Sequence, residues 1–164
     1  MYPCFDIDGI SSERLLREWQ WLIPGQFSLL AVNAFGDLFL QDVHGSVHRL
    51  EVTSGKISIV AASGVEFWEA ARDARKKKDW FLEERAELAE RKGCSPGKGQ
   101  CVGGKTPFVF KESANMPDNM YVADLYEYVS FMGDLHSQMK DVLDGAQVRI
   151  NIQPRPDQPD LFKN

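Results

Sequence analysis

Residues 35–62 read FGDLFLQDVHGSVHRLEVTSGKISIVAA, and this stretch decides the fold. FGDLFLQD (35–42) alternates, with Leu38 and Leu40 on one face. HGS (44–46) supplies a turn. VHRLEV (47–52) alternates again and sets Val47, Arg49 and Glu51 against His48, Leu50 and Val52. TSGK (53–56) is a second turn, and ISIVAA (57–62) a further apolar run. A period of two puts successive side chains on opposite faces of a sheet, and short glycine turns return the chain antiparallel to itself. QFSLLAVN (26–33), apolar and bounded by turn residues, adds a strand in front. The prediction is an antiparallel meander.

Helical periodicity flanks the meander. SSERLLREWQWL (11–22) places Leu15, Leu16, Trp19 and Leu22 on one side, with Ser11 or Ser12 as cap and Pro24-Gly25 as stop. After the meander, Ser63 caps GVEFWEAARDARKKKDW, whose apolar side is Phe67, Trp68 and Ala71. The basic run RKKKD (75–79), with Arg72 just before it, interrupts that helix or faces water. WFLEERAELAERKG (80–93) continues as a second helix, ended by Gly93. Loop-rich sequence follows (93–104), then a short strand FVFK (108–111) and a loop (112–119). Over 121–143, Val122, Leu125, Val129, Met132, His136, Met139 and Leu143 recur at helical spacing, although MYVAD at its start also reads as strand. AQVRINI (146–152) reads as a final strand.

These elements predict one α+β domain over residues 1–153, an antiparallel sheet packed against helices, with an extended or disordered tail over 154–164. The expected core includes Leu16, Trp19, Leu30, Leu38, Leu40, Leu50, Ile59, Phe67, Val129 and Met132. With 164 residues, 43 % hydrophobic and 26 % charged, the chain is long enough for one core. The net charge of −5 argues against direct, nonspecific nucleic-acid binding and suits a basic protein partner. MYPCFDIDG lacks the basic start and apolar run of a signal peptide, no stretch is long enough to span a bilayer, and Cys4, Cys94 and Cys101 show no paired spacing. A cytoplasmic protein with reduced thiols and no membrane partner is expected.

GQCVGGKT (99–106) satisfies the phosphate-loop pattern of Gly, four residues, Gly-Lys-Thr. The mechanism behind that pattern needs a buried strand before the loop and a helix after it. Here CSPGK precedes and Pro107 then FVF follow, so the glycines read as a connection into an edge strand. His44 and His48 fall in a hairpin with no accompanying Glu, and His136 falls on an apolar helix face as a packed core histidine. Cys101 reads as a semi-buried structural thiol. No cofactor, metal site or catalytic constellation is expected, and the chain does not read as an enzyme. The alternative kept open is a small ligand- or nucleotide-binding module, or an enzyme, using the Gly-rich loop 93–106. Glu127, Asp134 and Asp141 recur every seven residues opposite the apolar stripe, with Asp124 one turn before Glu127. This acidic ridge is the candidate partner-binding surface, and the meander turns are a second candidate.

Two stretches resemble a known family. AFGDLFLQDVHGSVHRLEVTSGKISIVAAS followed by EFW is the first; GQC, then Pro107, then DNMYVADLYEYVSFMGDLHSQMKDVLDGAQV is the second. Together, and in this order, they resemble the C-terminal domain of Tdi-type immunity proteins of type VI secretion systems, with looser kinship to the Smi/Knr-like immunity superfamily. The resemblance spans about Phe27 to Ile150. It implies an immunity protein, a stoichiometric inhibitor that protects a bacterium by binding a cognate toxin effector, in the Tdi-type case a DNase.

Overall fold

The alternating stretch folds as its period dictates. The structure, a computed structural model, describes residues 6–115 and 118–149. Strands β1 (Ser28–Val32), β2 (Leu38–Gln41), β3 (Val47–Glu51) and β4 (Lys56–Ala61) form one antiparallel sheet in the order β1-β2-β3-β4. Leu38 pairs with Leu50 and Leu40 with His48, so one face of β2 and β3 carries the leucines. Phe39 pairs with Arg49 on the other. With the flanking helices this is an α+β domain.

Each face of the sheet buries its own cluster. On the leucine face, Val32, Leu38, Leu40, Leu50 and Val52 meet Leu15, Leu16 and Trp19 from the N-terminal segment and Leu125, Val129, Met132 and Leu135 from the last helix. On the opposite face, Ala31, Phe39, Val47 and Ala61 meet Phe67, Trp80 and Phe81. Four rings concentrate there: Phe67 stacks on Trp80 at 5.3 Å, and Phe39 tilts against Phe67, Trp80 and Phe81 at 5.1–5.9 Å. A third, smaller cluster joins Ala34 and Phe35 of the β1–β2 loop to Ala86, Ala89 and Val102.

The helical segments are more broken than their periodicity suggests. The expected helix over 11–22 is a single turn, α1 (Ser12–Leu15), capped by Ser11 and followed by a 3-10 turn, Arg17–Trp19. Beyond Ser63, which does cap as expected, the chain makes two helices, α2 (Gly64–Ala70) and α3 (Ala74–Trp80). The break comes before the basic run. Asp73 accepts from the Arg75 and Lys76 amides and starts a new helix, so Arg75 to Lys78 lie within α3, exposed. Helix α4 (Glu83–Arg91) starts later than expected, because Leu82 takes the left-handed conformation with φ 52° and turns the chain between α3 and α4. Gly93, with φ 79°, follows its end as expected.

Four further expectations are corrected. Gln100–Gly104, read as loop, is strand β5, and it pairs antiparallel with β6 (Met120–Asp124). The helix expected over 121–143 is therefore α5 (Leu125–Met139), with MYVAD as strand. FVFK forms no strand: Phe110 N donates to Pro107 O, a 3-10 turn follows at Lys111–Asn115, and Phe108 packs edge-on to Phe35. Residues 146–149 are not strand either. The rest of that expected strand (150–152) and the tail 154–164 lie outside the described residues.

Of the expected core, Leu16, Trp19, Leu38, Leu40, Leu50, Phe67, Val129 and Met132 are buried, and Leu30 is half-buried. Ile59 is not core. It lies on the outermost strand, next to a bulge that sets Ala61 opposite Val47 and Ile59 opposite His48, and it is 67 % exposed. Leu143 lies past the end of α5 and is exposed as well.

A buried polar network fixes the β1–β2 loop. Asn33 Oδ1 accepts from the Phe35 and Asp37 amides, while its Nδ2 donates to Asp37 Oδ2 and to Trp80 O, each at 3.0 Å. Asp37 accepts further bonds from Arg49 Nη2 and from the Val52 amide, both at 3.0 Å. All three side chains are buried. Removing one partner of a buried ion pair strands the other charge, at a cost of about 3–5 kcal/mol. Asp37→Ala is therefore expected to lower stability by that amount in urea unfolding followed by circular dichroism, and Asp37→Asn, which keeps the shape and part of the hydrogen bonding, by less.

Candidate functional site

Helix α5 carries Glu127 and Asp134 of the four predicted acidic residues, and its inner face is fastened to the N-terminal segment. Trp19 Nε1 donates to Val129 O at 2.9 Å, and Trp21 Nε1 to Gly133 O at 3.3 Å. Gly133 makes this approach possible: a Cβ there would lie 2.9 Å from Glu18 O and from Trp19 Nε1. Asp124, Glu127, Asp134 and Asp141 are all exposed, but the expected helical ridge ends at Asp134, because α5 stops at Met139. Their roles differ. Asp124 is the N-cap, and its carboxylate accepts from the Glu127 amide at 3.0 Å. Asp134 accepts from Gln138 Nε2 at 2.9 Å. Asp141 lies past the last helical residue, Met139. Glu127 and Asp134 are thus the two carboxylates on the helix itself, about 10 Å apart along its axis at the usual rise per residue.

The glycine pattern at 99–106 has a different local explanation. Gly103 and Gly104 lie in β5, opposite Tyr121 and Met120. A Cβ on Gly103 would lie 2.9 Å from the Tyr128 ring, and one on Gly104 2.5 Å from Thr106 O. These glycines admit an aromatic ring and a tight turn, and the segment runs strand, turn and 3-10 turn, without the helix a phosphate cradle uses. Cys101 in the same strand is fully buried, more than the semi-buried setting expected, and burial foremost pushes its thiol pKa up, helped by the carboxylates of Asp124 and Asp37. Burial likewise raises the Tyr128 phenol.

Two of the three histidines are structural braces. His48 Nε2 meets Asp42 Oδ2 at 2.8 Å, and Asp42 Oδ1 accepts from the His44 and Ser46 amides, which closes the β2–β3 turn. The hydrogen bond from His48 lowers the Asp42 pKa. His44 is exposed. His136 is buried on α5, where its Nε2 lies 3.2 Å from both Val52 O and Thr53 O and its ring tilts against Trp19. Both partners are carbonyls, so Nε2 carries the proton and donates. The imidazole presses on Gly55, where a Cβ would come within 2.6 Å of Nδ1, and Gly55 itself has φ 68°. His136 therefore ties the β3–β4 turn to α5.

Among the described residues no group of three or more His, Cys, Asp or Glu is placed to hold a metal ion, and no helix is long and apolar enough to cross a membrane. A groove of about 650 Å³ runs between α1 and the β1–β2 hairpin, with Leu16 and Phe27 in its lining beside Glu13, Arg17 and Asp42. The Asn33–Asp37–Arg49 network went unread in the sequence. Its one signal was Arg49, a charged residue in phase with Val47 on a face that the rest of the sheet makes apolar. No family model matches the chain, and no curated protein is significantly similar to it.

Two outcomes follow. Burial lowers the His136 pKa, against the two carbonyls that pull it up. The unfolded chain then binds more protons near and below the ordinary histidine value of about 6.5, so stability is fully present above that pH and falls as pH drops through the lowered folded value. The urea midpoint is expected to fall between pH 7 and pH 5, and the fall to be shallower in His136→Gln. Second, the Cys101 thiol is expected to resist iodoacetamide in the native protein while half-exposed Cys94 reacts, as read by peptide mapping before and after unfolding.

Proposed function

We propose that this chain is a cytoplasmic immunity protein that binds a cognate toxin effector, a DNase, and blocks it one to one. The reading is supported by the ordered resemblance of residues 27–150 to Tdi-type immunity domains. The observation that carries it to a surface is the set of exposed carboxylates held on and around α5. A nuclease site is built to receive a polyanion, so its potential attracts a rigid acidic face. Such complementarity speeds encounter and sets partner choice more than it adds raw affinity. Glu127, Asp134 and Asp141 are the contacts assigned to this task. Asp124 belongs to the same surface and also starts the helix.

The test is capture of the product of the gene adjacent to this chain's own, followed by a DNase assay of that product. One-to-one capture with loss of DNase activity is the expected result; no capture by a neighbour that has no toxic activity overturns the proposal. Within a complex, joint Glu127→Lys, Asp134→Lys and Asp141→Lys substitution is expected to slow association about tenfold or more at low salt and to flatten its salt dependence, with little change in unfolding, as measured by stopped flow. An unchanged rate makes the ridge a solvated face.

A further inference from the structure

Trp21, Trp68 and Tyr121 are the aromatic side chains left exposed among the described residues. Tyr121 differs in its setting. It lies on β6, the strand that runs directly into α5, three residues before the cap at Asp124 and six before Glu127. Opposite it in β5 is Gly103, where a Cβ would lie 3.0 Å from Tyr121 Cε1 and 2.9 Å from the Tyr128 ring. The bare glycine is therefore a seat. The Tyr121 ring rests on backbone next to the buried Tyr128 ring, and 39 % of the residue stays open to solvent. A tyrosine has only two side-chain torsions to fix, so a seated one offers broad contact area at low entropic cost. That is why tyrosine is common at the energetic centres of interfaces.

The charge around this ring is negative in sum. From Glu112 to Met139 the chain carries five carboxylates, Glu112, Asp118, Asp124, Glu127 and Asp134, all exposed, and no lysine or arginine. Of the cations that neighbouring segments bring, Lys98 pairs with Asp6 at 2.8 Å, Arg14 lies over the Tyr126 ring at 4.1 Å, and Lys105 follows the end of β5. The Glu127 carboxylate is close enough to Tyr121 to help raise its phenol pKa, behind burial and the Cys101 thiol. A ring beside a carboxylate suits an arginine: the planar guanidinium stacks on the ring while its N–H fork reaches the acid, a geometry the compact lysine ammonium does not match. The chain makes the ring half of this contact itself at the start of α5, where Arg14 covers Tyr126; among the described residues the cation–ring contacts leave Tyr121 uncovered. We infer that Tyr121 and Glu127 form an arginine-binding face for a basic protein partner, the guanidinium stacking on the Tyr121 ring and donating to the Glu127 carboxylate. The inference deepens the immunity reading and rests on it for the partner's identity: the carboxylates of α5 speed the encounter, and Tyr121 takes one arginine of the toxin.

The experiment separates the two. In the full chain, the ring signals of Tyr121 and Tyr126 are followed by NMR, assigned with Tyr121→Phe and Tyr126→Phe. The probes are a hexapeptide of arginines and a hexapeptide of lysines, equal in charge. The arginine peptide is expected to shift the Tyr121 signals about twice as far as the lysine peptide does or more, and to leave Tyr126, which Arg14 already covers, nearly unmoved. In Glu127→Gln the Tyr121 shift is expected to shrink. No shift, equal shifts from both peptides, or a full shift in Glu127→Gln overturns the inference. So does a Tyr121 shift that grows with protein concentration alone, which makes a second copy the occupant. Against the purified product of the adjacent gene, Tyr121→Leu is expected to weaken binding about tenfold, and Tyr121→Phe, which keeps the ring, to leave it unchanged. Combined with Glu127→Gln, the loss is expected to be less than additive, because both residues serve one guanidinium; full additivity overturns the shared contact. If that product binds wild type and Tyr121→Leu alike, the Tyr121 face falls and the immunity reading stands. If it binds neither while the arginine peptide still shifts Tyr121, the immunity reading falls and the face stands.

Discussion

The fold hangs on one buried carboxylate. Asp37 sits at the mouth of the β1–β2 loop with three hydrogen-bonding partners drawn together around its carboxylate: its own loop through Asn33, strand β3 through Arg49, and the amide of Val52 just beyond that strand; Asn33 in turn reaches the carbonyl of Trp80 at the end of α3. Nothing apolar is able to do this. The aromatic cluster under Phe39 supplies the larger driving force, but burial is non-directional and does not fix which strand meets which loop. A charged group out of water is costly unless its partners stand in one arrangement, and that demand selects the arrangement. Arg49 extends the network toward the surface, reaching Glu51 at 3.8 Å and Asp79 at 3.7 Å.

Helix α5 turns that order into a usable surface. Its inner face carries the residues that cross-link the molecule, with Val129 and Gly133 receiving indole N–H groups from the N-terminal segment and His136 holding the β3–β4 turn. Its outer face is free of such duties apart from the cap at Asp124. Side chains on a helix fastened at three points along its length are preorganised, so a partner does not have to order them on binding. In the proposed role, the steering charges at Glu127 and Asp134 ride on a single rigid element.

The meander, its turns, the cap at Ser63 and eight of the ten core positions were legible, because strict alternation and glycine punctuation are local signals. The misreadings share a cause. QCVGG looked like loop because glycines depress strand propensity, yet those glycines are there for the ring of Tyr128 and the turn at Thr106, which only the folded chain brings near. FVFK looked like strand because alternate apolar residues fit a sheet, yet its phenylalanines pack singly in a turn started by Pro107. Ile59 fits the alternating pattern and fails as core, since it lies on the outermost strand opposite half-buried His48, where alternation alone does not tell a central strand from a border one. For the site, the carboxylates of α5 were visible from their spacing. The fastening of α5 was not, because Trp19 and Trp21 lie over a hundred residues from Val129 and Gly133 and no periodicity links them.

The bulge beside Ile59 also matters for life at high concentration. An outermost strand offers unpaired backbone groups to any other extended chain, and KISIVA, with a single charge, is the sort of segment that stacks into aggregates. Here the extra residue at Val60 bends the strand, Lys56 puts a charge at its start, and the carboxylate of Glu66 occupies the amide of Ala62 just past its end. In the proposed role, a one-to-one inhibitor has to be held in excess of its target. A kinked, charged and plugged border lets many copies be stored side by side without zipping together.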